Sequence, residues 1–239
     1  MIETIITHTC PRCGSLNLVK NGRDYKGTQK FRCNDCHRYG TLRAARPVCP
    51  VRTAVERAFT ERVSLRGLAR VFGISRTTIT RWLTQTLAQI PALAETLSEG
   101  QVDDVLELDE VWSFVGSKAR QRWVWVALCR RTRQVVAYWI GDRSETSAVR
   151  LWEQLPDAYR RCCSFSDKWK AYHYVFDHKR YRQVNKEEGE TNHIERWFNT
   201  LRQRLSRFTR KTLSFSKRDD RHEGLLRLFL HRYNSGCIS

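Results

Sequence analysis

Two sets of side chains in this sequence have the types and spacing for metal chemistry, and they would do different things. Cys10/Cys13 and Cys33/Cys36 form two C-x-x-C pairs, separated by nineteen residues that include the turn formers Gly14, Asn21-Gly22 and Gly27. Each C-x-x-C turn offers two thiolates from one tight knuckle. Two knuckles closed by a hairpin complete a tetrahedral four-sulfur site with no open position, which suits one structural Zn²⁺ rather than a catalytic ion. His8 and His37 flank the cysteines and are read as surface residues, because four thiolates already suffice. The second set is acidic: Asp109, Asp167 and Glu195. Three carboxylates from separate elements can hold two Mg²⁺ ions about 4 Å apart, one activating an attacking oxygen and the other stabilising the leaving one, as phosphodiester chemistry requires. By the two-residue period of a strand, Glu107 shares a face with Asp109 while Glu110 points the other way, so pattern alone leaves Glu107 as a rival.

Charge narrows the partner. Lys and Arg number 43 against 25 Asp and Glu, a formal net charge of +18, more than solubility requires and suited to a polyanion such as DNA. No run approaches the roughly 18 apolar residues of a membrane span, and the opening MIETIITHTC has neither a basic nor a long apolar export region. A soluble intracellular protein with no membrane partner is expected. The nine cysteines, an odd number without an export signal, then read as reduced thiols or metal ligands. Cys49, Cys129, Cys162, Cys163 and Cys237 lack paired metal spacing and read as core or incidental.

Three regions must position these groups. Residues 1–46 form a zinc ribbon with so few large apolar side chains that metal binding has to supply the folding free energy. Arg43 to Arg52, with Pro47 and Pro50, reads as a linker. Residues 51–98 carry helical periodicity: Val55, Ala58 and Phe59 in one helix, Leu65, Leu68, Ala69 and Phe72 in a second, Ile74, Ile79 and Leu83 in a third. Ser64 to Leu83 is a candidate all-α helix-turn-helix, with Gly73 in the turn and Ser75 capping the recognition helix. Arg76, Thr77, Thr80 and Arg81 are then free to meet the DNA major groove. Thr84 to Leu97, interrupted at Pro91, reads as a separate connecting or dimerising stretch.

Residues 104–239 change period. LELDEVWSFVG, RWVWVALC and QVVAYWI read as three antiparallel strands joined by the polar stretches SKARQ and RRTR. A helix from Ser144 to Leu155 follows, then a strand ending near Asp167, a short strand RYRQVN and a long helix NHIERWFNTLRQRL. That order suggests an α/β ribonuclease-H-like domain. Asp109 then sits on the first strand, Asp167 just past the fourth, and Glu195 on the late helix. Arg202 lies two turns beyond Glu195 on the same face, within reach of a DNA phosphate. Arg196 to Arg221 holds nine Lys or Arg among Trp197, Phe198, Phe208 and Phe215, and reads as a helix with one side on the sheet and a basic side along a phosphate backbone.

LDEVWSFVGSKARQRWVWVA around Asp109, FSDKWKAY around Asp167, HIERWFNTLRQRLSR around Glu195 and RKTLSFSKR at Arg210 to Arg218 resemble the signature segments of insertion-sequence-1 family transposases. The likeness extends over nearly the whole chain, since that family also carries an N-terminal zinc ribbon followed by a helix-turn-helix. It implies a DDE transposase, in the full-length fused form, with Asp109 rather than Glu107 joining Asp167 and Glu195 in the triad. It further implies Mg²⁺ as catalytic cofactor, with Mn²⁺ able to substitute, terminal inverted repeats and target DNA as partners, and at least a dimer on DNA. The setting implied is the nucleoid of a prokaryotic cytoplasm. In this family the upstream DNA-binding part can also be made alone as a repressor. A sequence-specific repressor and a structure-specific nuclease are the competing readings. Mg²⁺-dependent nicking separates the first from a transposase, and strand joining separates the second.

Overall fold

The computed structural model describes residues 8–42, 50–173, 175, 176 and 179–237. Two compact units divide the chain, Met1–Pro50 and Val51–Ser239. Most of the expected linker, and Cys49, lie outside the described residues, while Pro50 opens a helix.

The first unit is a three-stranded antiparallel sheet in the order β1 (Leu18–Arg23), β2 (Gln29–Cys33), β3 (Tyr39–Thr41). Among its described residues only Cys10 and Cys33 are buried. A sheet this small with no apolar core cannot offset its own chain entropy without a further tie.

In the second unit α1 (Pro50–Phe59), α2 (Leu65–Phe72) and α3 (Arg76–Gln89) pack around Val55, Leu68, Ile79 and Leu83. Ser64 caps α2 by accepting from the Gly67 amide at 3.0 Å, and Ser75 caps α3 by accepting from the Thr78 amide at 3.2 Å. Between them Gly73 takes φ +64°, a left-handed turn that a side chain would strain. Helix α3 runs unbroken to Gln89, so the stretch beginning at Thr84 is not a separate element. The chain leaves the helix at Ile90 because the residue before Pro91 is pushed out of the helical region. A tight 3₁₀ turn, Leu93–Thr96, leads on.

A five-stranded sheet follows. Its strands are β4 (Val105–Val115), β5 (Ser117–Cys129), β6 (Val135–Gly141), β7 (Cys163–Ser166) and β8 (Tyr181–Gln183), in the spatial order β6-β5-β4-β7-β8. The first three pair antiparallel, while β7 runs parallel to both β4 and β8. Central β4 is covered on both faces. Helices α4 (Glu145–Gln154), α5 (Asp157–Arg160) and α6 (Lys170–His173) close one core with Leu106, Leu108 and Trp125. Helices α7 (Asn192–Arg204) and α8 (Asp219–Gly236) close the other with Val111, Val124 and Val126.

Two expectations are corrected. SKARQ is no connection but the first part of β5. The β4–β5 turn is the single residue Gly116, with φ +78°, and Ser117 to Gln121 extend the hairpin as an exposed arm whose polar side chains hide its strand character. The basic C-terminal stretch is not one helix either. Residues 205–218 form an irregular segment between α7 and α8, because Leu205 leaves the helical region and Phe208 turns inward to be buried.

Helix α8 ties the unit together. Asn234 brackets Val135 of β6, accepting from its amide at 3.0 Å and donating to its carbonyl at 2.9 Å. Buried His222 lies between Ser113 of β4 (3.1 Å) and Ser216 (3.3 Å) and stacks on Phe208. On its outer side Leu228 completes the core of α1 to α3, and Gly224 lets Leu87 approach so closely that a Cβ would meet it at 2.9 Å.

Candidate metal centre and catalytic carboxylates

In the first unit the four cysteine sulfurs all lie within 4.8 Å of one another. Cys10 and Cys36 are 3.6 Å apart, as are Cys13 and Cys33. Tetrahedral Zn²⁺ with sulfur at about 2.3 Å sets sulfurs roughly 3.8 Å apart, so the set has the size of that ion's ligand shell. The knuckles arise from local turns: the Gly14 amide donates to the Cys10 carbonyl, and the Cys33 amide to that of Arg38. Backbone N–H groups of Arg12 and Cys13 point at the Cys10 sulfur and lower its pKa to about 6, towards the thiolate a metal binds. His8 and His37 are exposed.

The carboxylates are assembled differently. Parallel pairing sets Leu108 of β4 opposite Ser166, the last residue of β7, so Asp109 and Asp167, the next residue of each chain segment, come close together. Asp109 faces α7, and Glu195 rides on that helix one turn from its start. Burial, reinforced by the charges of Glu110, Asp167 and Glu195, pushes the Asp109 carboxyl up to about 8 against one hydrogen bond from the Glu110 amide. Among the described residues only the cysteines gather three ligand atoms within 4.8 Å. The three carboxylates do not gather as closely as that.

The other acids of β4 hold this arrangement from both sides of the sheet. Glu107 is fully buried and grips the start of α7, accepting from the His193 and Ile194 amides at 3.0 Å each, from the His193 ring at 2.6 Å, and from Arg130 at 2.9 Å. Arg130 in turn pairs with Glu190 at 2.8 Å. Glu107, the rival of Asp109 by pattern, therefore anchors the helix that carries Glu195. On the opposite face Glu110 pairs with Arg143 (2.7 Å) and accepts from Tyr172 (2.9 Å). The Arg143 guanidinium lies 4.6 Å and 4.1 Å from the rings of Trp123 and Trp169, and the Trp169 amide donates to Asp167 at 3.1 Å. Sequence reasoning missed both clamps, whose only signal was three acids in four residues of one strand.

Arg202 comes near Asp109, which favours its charge, while desolvation and Arg210 lower its pKa. It has no carboxylate partner among the described residues, and its Nε makes no hydrogen bond. Of the α3 residues expected to face DNA, Arg76, Thr77 and Arg81 are exposed and Thr80 is half-buried. Cys129 and Cys162 are buried, Cys163 is exposed and Cys237 half-buried.

Residues 104–234, which contain all three carboxylates, match the model of the IS1 transposase family. The chain belongs to that family. Its residues 4–37 match the model of the InsA N-terminal domain, a zinc ribbon, in agreement with the four-sulfur cluster. Similar proteins include the insertion element iso-IS1n protein InsB of Shigella dysenteriae, 37% identical over 134 residues, which cover 54% of this chain and 95% of that one. The IS1 protein InsB of Shigella flexneri is 37% identical over 125 residues, 52% of this chain and 92% of its own. The IS1 4 protein InsB of Escherichia coli K12 is 35% identical over 125 residues, 52% of this chain and 72% of its own. A zinc-ribbon domain, a DDE transposase domain and a structural Zn²⁺ site follow for this IS1-family transposase. No described helix is long and apolar enough to cross a membrane.

Proposed function

We propose that this transposase binds the terminal inverted repeats of its insertion sequence and catalyses divalent-metal-dependent strand cleavage and strand transfer, with Asp109, Asp167 and Glu195 as the reacting centre's carboxylates. The observation that carries this reading is the parallel register that ends at Leu108 and Ser166 and so brings the next residues, Asp109 and Asp167, close together, while the charge of Glu195 on α7 acts on Asp109 as well, inside the IS1-matched segment. Three antiparallel strands followed by parallel β7 and β8 support a ribonuclease-H-like fold for this region. The capped α2, the Gly73 turn and α3 support a helix-turn-helix whose Arg76, Thr77, Thr80 and Arg81 read the repeat.

Three acids sharing one field are short of positive charge, and their hard oxygens suit Mg²⁺, or Mn²⁺ in its place. Bound there, the ions would supply Lewis-acid activation of the attacking and leaving oxygens. Asp109, Asp167 and Glu195 would hold them, and Arg202, lacking a carboxylate of its own, would steady the adjacent phosphate. In cleavage a water oxygen attacks phosphorus at the element end, the bond from phosphorus to the 3′ oxygen breaks, and a 3′-hydroxyl is left. That oxygen then attacks a target phosphorus, displaces the neighbouring 3′ oxygen and joins the strands, its proton passing to solvent. Two element ends require at least two copies of the chain, acting on DNA in the bacterial nucleoid.

The test is a panel of near-isosteric variants. Asp109→Asn, Asp167→Asn and Glu195→Gln should each bind terminal-repeat DNA normally and lose Mg²⁺-dependent cleavage and strand transfer by orders of magnitude. Near-normal transfer by Glu195→Gln would remove it from the triad. Nicking without joining by the unaltered chain would make this a nuclease, and the absence of nicking would leave a repressor.

A further inference from the structure

A cavity of about 490 Å³ lies where α2 and α3 face the irregular segment after α7. Five arginines line it, Arg62, Arg66, Arg76, Arg204 and Arg207, and no lining residue is acidic. Arg204 is the one with a carboxylate, Glu61, which is not part of the wall, and its Nε makes no hydrogen bond. Arg207 is partly desolvated, with only a 3.5 Å contact to the Ser216 hydroxyl and the face of Phe59 for company. Arg62, Arg66 and Arg76 have no ion pair among the described residues. The backbone holds this crowd in place, because the Arg62 amide donates to the Arg204 carbonyl at 2.6 Å with Arg62 at φ +62°. Several guanidiniums converging on one cavity repel one another, and an oxyanion with several acceptor oxygens relieves that repulsion with bidentate hydrogen bonds.

We propose that this cavity is a phosphate-binding site for the DNA backbone, filled when α3 engages a duplex. The inference rests on the reading of α3 as the recognition helix. Arg76 and Thr80 of that helix form part of the wall, so a duplex lying along α3 carries a phosphate run past the opening. Arg62, Arg66, Arg204 and Arg207 then contact phosphates that α3 itself does not reach. They fix register without reading sequence. The site joins the recognition helices to the chain leaving α7, the helix of Glu195, so one stretch of backbone is held against both.

The experiment uses the full chain and the double variant Arg62→Gln/Arg66→Gln, with Arg150→Gln/Arg161→Gln as a control of equal charge change far along the sequence, on and after α4. Binding to terminal-repeat duplex is measured by fluorescence anisotropy from 50 to 300 mM salt. Two lost phosphate contacts should reduce the slope of log K against log salt by about 2, from the roughly 0.9 expected per phosphate, and the control should leave it unchanged. Thermal unfolding in inorganic phosphate at fixed ionic strength gives the second arm: phosphate should raise the melting temperature of the unaltered chain and the control, and not of the cavity variant. An unchanged slope in the cavity variant overturns the proposal, and so does an equal loss in the control, which would report net charge alone. Phosphate stabilisation lost without a change in slope overturns the DNA assignment in favour of a free-phosphate site. If the unaltered chain binds no DNA at any salt, the recognition-helix reading fails first, and the proposal with it.

Discussion

The cysteine cluster and the proposed carboxylate triad are both made of metal-type ligands, yet they stand in opposite relations to the fold around them. Cys10, Cys13, Cys33 and Cys36 come from two local turns in a unit whose described residues bury nothing else but two of these cysteines themselves. There the site is the fold's core. Asp109, Asp167 and Glu195 come from two strands and a helix, and around them two apolar cores and two buried ion-pair clamps already exist. There the fold makes the site. Removing a ligand should therefore unfold the first unit and leave the second folded but inert.

The largest effect expected is the loss of the ribbon. Cys33→Ser removes one of four thiolates, so zinc content should fall and cooperative folding of residues 8–42 should vanish, while the second unit melts as before. Full zinc occupancy in that variant would break the comparison. Next comes the clamp under Glu195. Glu107→Ala leaves Arg130 and the first amides of α7 without their buried acceptor, and should cost about 3–5 kcal/mol in urea unfolding of the second unit. Glu107→Gln keeps an acceptor oxygen and should cost less. If Glu107→Ala were neutral in stability but lost cleavage, Glu107 would belong with the reacting carboxylates.

The third effect is an acid sensitivity of the second unit that one histidine carries. Burial among Ser113, Ser216 and Phe208 holds the His222 pKa down, to about 4, with Arg207 adding to the shift. A histidine depressed in the folded state is protonated first in the unfolded chain. Its contribution is intact above about pH 6.5 and is lost as pH falls towards 4, by up to roughly 3 kcal/mol. His222→Gln should flatten urea stability across that window, and an unchanged pH slope would rule His222 out as its source. The smallest effect sharpens the comparison by its absence: His8→Ala, exposed beside a site already complete in sulfur, should leave zinc content as it was.

What could be read directly from the sequence follows the same division. The C-x-x-C spacing carries the ribbon site whole, because each knuckle is local. The apolar runs of β4, β5 and β6 and the periodicity of α7 are equally plain, and the caps at Ser75 and Ser144 sit at the helix starts they mark. The hairpin arm Ser117–Gln121 was hidden because it is exposed and has no apolar alternation to announce a strand. The break after Arg204 was hidden because burial of Phe208, a tertiary event, overrides a helix-forming basic sequence. Glu107 and Glu110 were readable as acids on opposite faces. Their partners Arg130, Arg143, Tyr172 and the start of α7 are distant in sequence, so their roles emerge only once the sheet has formed.

The seat of Leu228 in the core of α1 to α3 bears on how the protein is made. Translation delivers those three helices early and α8 among the last of the described residues. Until α8 leaves the ribosome, the nascent helices lack one wall of their core and keep that apolar side open to solvent or to chaperones. Full packing of α1 to α3 in this chain is in that way timed to the synthesis of α8, a helix far along the sequence from the three it completes.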